Sequence, residues 1–82
     1  MECVVKLFGP FAQAVQRGEV RVEVHDANPT VADLRKHLSE AEPALGPLLR
    51  VSRFAVNQAF APEDQRLGQQ DEIALIGLVS GG

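Results

Sequence analysis

The dipeptide Gly81-Gly82 at the end of the chain is the part best suited to chemistry. Neither residue carries a Cβ, so the terminal carboxylate sits on a stalk slim enough to thread a channel closed to other residues. A Gly-Gly end arises by chance in about one chain in 200 at average glycine usage. It gains weight here from the strand-like run Glu72-Ile73-Ala74-Leu75-Ile76 that leads towards it. Other reactive side chains are few. Cys3 is the single cysteine, and His25 and His37 are the only histidines. They assemble neither an internal disulfide nor a clustered metal site. Cys3 reads as a small buried hydrophobe on the first strand. His25 and His37 read as solvent-facing, and Glu63-Asp64 as a solvated loop. The sequence holds no Ser/His/Asp or Cys/His constellation and no Gly-x-x-x-x-Gly-Lys phosphate loop.

A reactive tail needs a folded body to present it. With 82 residues, 45% hydrophobic and 23% charged, the chain reads as one globular domain of modest stability. The net charge of −3 argues against nucleic acid as a partner. With no tryptophan or tyrosine, the usual base-stacking platforms are missing. No apolar run approaches the roughly 18 residues of a membrane span, and no leader-like segment opens the chain. The expected location is cytoplasmic.

Hydrophobic spacing then orders the elements. Cys3 to Phe8 is apolar on both faces except at Lys6, as suits a central strand. After Gly9, Pro10 opens a short helix through Phe11, Ala14 and Val15, with Gly18 expected to end it. Val20, Val22 and Val24 alternate with Arg21, Glu23 and His25, the pattern of a strand with one wet face. Thr30 and Asp33 stand at capping-box spacing, and Val31, Leu34, Leu38 and Ala41 continue as the apolar stripe of the main helix. Pro43 and Pro47 close it. Leu45, Leu48 and Leu49 are expected to plug one end of the core. A strand at Arg53–Val56 turns at Asn57-Gln58 into a brief extended stretch at Ala59–Ala61. Leu67 reads as a buried anchor in the following loop, and Glu72–Ile76 as a second central strand.

The two most apolar strands are the first and the last. Placed side by side in mid-sheet, they run parallel, and the main helix crosses one sheet face. This is the β-grasp, or ubiquitin-like, arrangement of the α+β class, with a mixed sheet. Residues 1–76 form the domain and residues 77–82 an extended, flexible tail. Val4, Phe8, Leu75 and Leu78 are candidates for an apolar patch on the sheet face that the helix leaves free. The alternative is that they fill the core. The orientation of Phe54 and Phe60 is left open.

The residues then meet a known pattern. Phe54-Ala55-Val56-Asn57-Gln58, Leu67, Asp71-Glu72-Ile73-Ala74 and Val79-Ser80-Gly81-Gly82 resemble the small subunit of molybdopterin synthase, the MoaD type of the MoaD/ThiS family. The front half agrees, with Val5-Lys6-Leu7-Phe8 before a short helix and Pro29-Thr30-Val31-Ala32-Asp33-Leu34 opening the main one. The likeness covers nearly the whole chain. Two positions depart from it. Gly77 and Leu78 stand where the family usually has prolines, which implies a more flexible stem. Gln70 stands where a glycine usually precedes the Asp of the last turn, and Gly68 is the expected substitute.

The resemblance implies a sulfur carrier. A carboxylate must be activated before it can carry sulfur, most simply as an acyl-adenylate made from ATP. A sulfur donor then displaces AMP and leaves a C-terminal thiocarboxylate, a polarizable anion that attacks without help from a tuned side chain. The resemblance makes Gly82 the reactive residue. Gly77, Leu78, Val79, Ser80 and Gly81 become the tail that partners grip, and Phe8 and Leu75 part of a partner surface. It also implies an activating enzyme that binds the ATP, a sulfurtransferase, and a large synthase subunit in a heterotetramer. That subunit holds the catalytic side chains and cyclic pyranopterin monophosphate. No cofactor is expected on this chain. Three other readings stand beside this one: a carrier for another pathway such as the thiazole of thiamine, a ubiquitin-like protein modifier, and a plain β-grasp interaction module. Thiazole carriers usually lack the Phe11–Val15 helical insert.

Overall fold

A computed structural model describes residues 1–77. The expected tail residues Leu78, Val79, Ser80, Gly81 and Gly82 lie outside the described residues. The elements are β1 (Glu2–Leu7), α1 (Gly9–Val15), β2 (Glu19–Glu23), α2 (Val31–Ala41), a 3₁₀ turn at Pro43–Leu45, α3 (Gly46–Leu49), β3 (Ser52–Val56), β4 (Ala59–Phe60) and β5 (Ile73–Gly77). The strands form one mixed sheet in the order β2-β1-β5-β3-β4. The two doubly apolar strands, β1 and β5, lie inside the sheet and run parallel, with Val5 level with Ile73 and Leu7 level with Leu75. The other pairs are antiparallel.

Alternation along each strand sends one set of side chains under the helices. Cys3, Val5 and Leu7 of β1, Val20 and Val22 of β2, Phe54 and Val56 of β3, and Ile73 and Leu75 of β5 are all buried. They meet Phe11 of α1, Val31, Leu34 and Leu38 of α2, and Leu45 and Leu49 of the segment that follows. Helix α2 starts where the spacing predicts. The Asp33 backbone N–H donates to Thr30 Oγ1 at 3.3 Å, and the Thr30 N–H donates to Asp33 Oδ2 at 2.9 Å. The Thr30 N–H and the Thr30 hydroxyl both donate to the Asp33 carboxylate and lower its pKa, the backbone N–H acting most strongly.

Arg35 ties the helix layer to the sheet. Its guanidinium donates to Ser52 Oγ and Ser52 O, each at 3.3 Å, and to Leu49 O. It pairs with Glu63 at 2.8 Å and lies 5.1 Å from the centroid of the Phe54 ring. Glu63 is therefore an ion-pair partner of the helix, where a merely solvated loop residue was expected. His37 is also only partly exposed. It lies 3.4 Å from Asp26 and 3.7 Å from Glu40.

Two element ends near the site differ from those expected. Helix α1 ends at Gln16, which itself takes the left-handed conformation at φ 56° and donates its N–H to Ala12 O. Gly18 is not needed for the stop, because the backbone that ties β2 to β1 (Leu7 N–H to Gly18 O, 2.9 Å) already fixes the exit of the chain. Strand β5 runs one residue further than the apolar pattern implied. Gly77, expected as the first tail residue, is level with Ser52 of β3 as the last residue of the sheet. Phe54 and Phe60 lie on opposite faces, one fully buried and the other 56% exposed.

Candidate functional site

The sheet face away from the helices carries the other half of each alternation. Across its middle the register sets Lys6, Ala74, Ala55 and Phe60 in one row, from β1 through β5 and β3 to β4. Two alanines at the centre of that row leave a trough. Phe8, Phe60 and Ile76 rise around it, with Lys6, Gln58 and Glu72 at its margin, and the depression holds about 360 Å³. Phe8 and Phe60 are each 56% exposed. Exposed aromatic rings flanking a shallow apolar floor are common at association surfaces. The Arg53 guanidinium lies 4.8 Å from the Phe60 ring centroid, close enough for a cation–π contact that holds the ring in place.

The apolar surface continues round the end of β5. Phe8, Pro10, Phe11, Ile76 and Gly77 line a second depression there. Phe8 and Ile76 border both depressions, so one surface leads from the open face to Gly77, beyond which the chain continues towards Gly82.

Leu75 requires a correction. It was a candidate for this surface, yet it is fully buried in the core. A strand apolar on both faces does not reveal its parity in sequence. The register with Leu7 and Phe54 sends Leu75 under the helices and turns Ala74 and Ile76 outward. Phe8 keeps its place on the open face. Ala74, Ile76, Ala55 and Phe60 are the surface residues that sequence reasoning missed or left open. The hairpin turn at Asn57-Gln58 is the signal that fixes Phe60. Both residues have positive φ, 53° and 70°, as in the two-residue turns that join antiparallel strands. Such a turn sets Ala55 opposite Phe60 and so on the same face.

Asn57 also locks the start of β5. Its N–H donates to Glu72 O at 2.7 Å, its side-chain oxygen accepts from the Glu72 N–H at 2.9 Å, and its Nδ2 donates to Asp71 Oδ1 at 2.9 Å. The Gly68 N–H donates to Asp71 Oδ2 at 2.7 Å. The Gly68 backbone thus closes the last turn, with a contact that does not require glycine there. These two donors pull the Asp71 pKa below the usual carboxylate range, the Gly68 N–H most strongly. Among the described residues no group of three or more His, Cys, Asp or Glu side chains converges. Cys3 is buried, and burial pushes its thiol pKa up, away from the reactive thiolate.

Residues 5–82, almost the whole chain, match the ThiS family. The chain belongs to the ThiS family. A curated relative from Dictyostelium discoideum, a molybdopterin synthase sulfur carrier subunit, is 30% identical over 80 residues. That match spans 95% of this chain and 93% of the relative. Among solved structures, the fold is similar to SAMP1 from Haloferax volcanii, with a TM-score of 0.82 and 32% identity over the whole of both chains. It is also similar to a chain in the complex of subunits 1 and 2 of the molybdopterin-converting factor from Helicobacter pylori. There the TM-score is 0.69 and the identity 28%, again over the whole of both chains. The five-stranded sheet and its helices are those of the ubiquitin-like β-grasp fold.

Proposed function

We propose that this protein is a sulfur carrier of molybdenum cofactor synthesis, with the carboxyl group of Gly82 as its working end. The observation that carries this reading is the relative described as a molybdopterin synthase sulfur carrier subunit, aligned over nearly the full length of both chains. The family match running through Gly82 supports the assignment of the reactive end. In this reading an ATP-dependent activating enzyme binds the nucleotide. The Gly82 carboxylate attacks the α-phosphorus, and pyrophosphate leaves. A sulfurtransferase supplies the sulfur that displaces AMP, giving the thiocarboxylate. The large synthase subunit then receives the tail and the sulfur passes to cyclic pyranopterin monophosphate. The trough walled by Phe8, Phe60 and Ile76 is the grip for these partners, and the chain itself holds no cofactor. The work belongs in the cytoplasm, where the partner enzymes meet their soluble substrates.

A protein-modifier role is the second reading, favoured by the likeness to SAMP1, the modifier-named structure from Haloferax volcanii. Activation is common to both roles, and the product separates them. A chain lacking Gly81-Gly82 is expected to lose pterin sulfuration completely in a reaction rebuilt with the activating enzyme, sulfurtransferase and large subunit. Retained sulfuration would overturn the carrier reading. Lysine adducts of this chain in host extracts, with no thiocarboxylate, would select the modifier.

A further inference from the structure

The helix layer carries a groove of its own, away from the trough. Ala32, Lys36 and Ser39 follow one another at helical spacing and form one stripe of α2. Together with Gly46, Leu49 and Arg50 of the next helix and its end, they line a depression of about 450 Å³. Ala32 and the buried Leu49 give it apolar ground. The Arg35–Glu63 pair also borders it, with its two charges balanced. Most other cationic side chains of the molecule are engaged. Arg17, Arg21 and Arg35 form ion pairs, Arg53 lies on the Phe60 ring, and Arg66 donates to Asn28 O at 2.7 Å. Among the described residues, the lysines and arginines left without an ion pair, a ring or a hydrogen-bonded carbonyl are Lys6, Lys36 and Arg50. Lys6 borders the trough, and the other two meet on this groove, both exposed. The Asp33 carboxylate near Lys36 is already taken by the Thr30 donors.

Two cations on one depression repel each other, and an anionic occupant relieves that repulsion. The chain as a whole has a net charge of −3, so the groove is opposite in sign to the molecule around it. We propose that this groove between α2 and α3 is a docking site for an acidic segment of a partner protein. Carboxylates of that segment meet Lys36 and Arg50, and an apolar side chain lies on Ala32 and Leu49. Two features favour a peptide over a nucleic acid or a free phosphate. The apolar ground rewards contact with a side chain, which phosphate lacks. The Glu63 carboxylate at the border and the acidic chain beyond it repel a phosphate backbone. Exposed cations select partners more than they add affinity, so binding of a short segment is expected to be weak and sensitive to salt. The groove lies on the helix layer and the trough on the other face of the sheet. One protein can therefore hold the chain here while another occupies the trough.

The test is an amide-resolved NMR titration of the labelled full-length chain with a short, end-blocked peptide of alternating glutamate and leucine. The Lys36, Ser39, Gly46 and Arg50 signals are expected to move and to saturate, and a peptide with glutamine in place of glutamate should move them far less. Raising the ionic strength to about 1 M, where the screening length falls to about 3 Å, should weaken the binding severalfold. Lys36→Glu combined with Arg50→Glu reverses the sign of the groove and should lower affinity by about tenfold or more. Both side chains are exposed, so the fold should tolerate the change. Arg50→Glu alone serves if the double variant does not fold. Phe60→Ser in the trough should leave the affinity within about twofold. Inorganic phosphate and a single-stranded oligothymidylate are titrated beside the peptide. The proposal is overturned if millimolar peptide moves none of these signals, or if the shifts fall on the open sheet face instead. Equal binding of the glutamine peptide, or of the acidic peptide to the charge-reversed variant, would also overturn it. Tighter binding of phosphate or the oligonucleotide at the same residues would do so too, and would make the groove a phosphate site.

Discussion

The same strands build two unlike surfaces. Beneath the sheet, Val5, Phe54 and Leu75 are wholly buried in the core cluster. Above it, their neighbours Ala55 and Ala74 floor a trough with Phe8 and Phe60 standing at its sides and Lys6 at its margin. A shift of one residue in register would exchange the two sets. The covered face accounts for stability, because it removes large apolar groups from water. The open face leaves comparable groups in contact with water, which a protein of 82 residues with little stability to spare retains when something else covers them. The core and the proposed grip for partners thus lie on opposite sides of one sheet.

Substitutions on the two sides should therefore separate stability from binding. Leu75→Ala on the covered face is expected to remove about 2–5 kcal/mol of stability, a large share of what so small a domain holds. Chemical denaturation measures it, and a loss below about 1 kcal/mol would mean that the core is not where Leu75 sits. Phe60→Ser on the open face should leave the denaturation midpoint nearly unchanged. It should weaken binding to the large synthase subunit by about 2 kcal/mol, or roughly 30-fold, by calorimetry. Unchanged binding would break the division between the faces. Thr30→Ala deletes the cap of α2 and should lower stability by about 1 kcal/mol without altering binding.

The smallest effect is the response to acid. Asp71 and Asp33 both have pKa values lowered by hydrogen bonds made in the folded state. Their contribution is present above the ordinary carboxylate range and fades as pH falls through the lowered folded values. Thermal melting followed downward through the acid range should show this loss. Asp71→Asn should flatten the part due to the clamp on Asn57 and Gly68. An unaltered acid limb in that variant would show that the clamp does not contribute.

Local signals were legible where sequence and tertiary structure agree. The Val20-Val22-Val24 alternation, the Thr30–Asp33 box and the two doubly apolar strands each found their place, and together they imposed the parallel β1–β5 pair. What stayed hidden depends on register or on distant contact. Leu75 and Ile76 are chemically alike, and only pairing with β1 and β3 decides which turns inward. Gln16 takes a left-handed conformation that glycine would adopt more readily, and nothing in its residue type announces it. Glu63 finds Arg35 across 28 residues of sequence. Gly77 looked like the start of a tail because only its pairing with β3 shows that it still belongs to the sheet.

The intact mass of the protein purified from its native host tests most directly whether the Gly82 carboxyl is the group that carries sulfur. A population in which one C-terminal oxygen is replaced by sulfur, and which disappears when the activating enzyme is deleted, is the expected result. A chain that carries only its ordinary carboxylate while the host still makes molybdopterin from it would contradict that role.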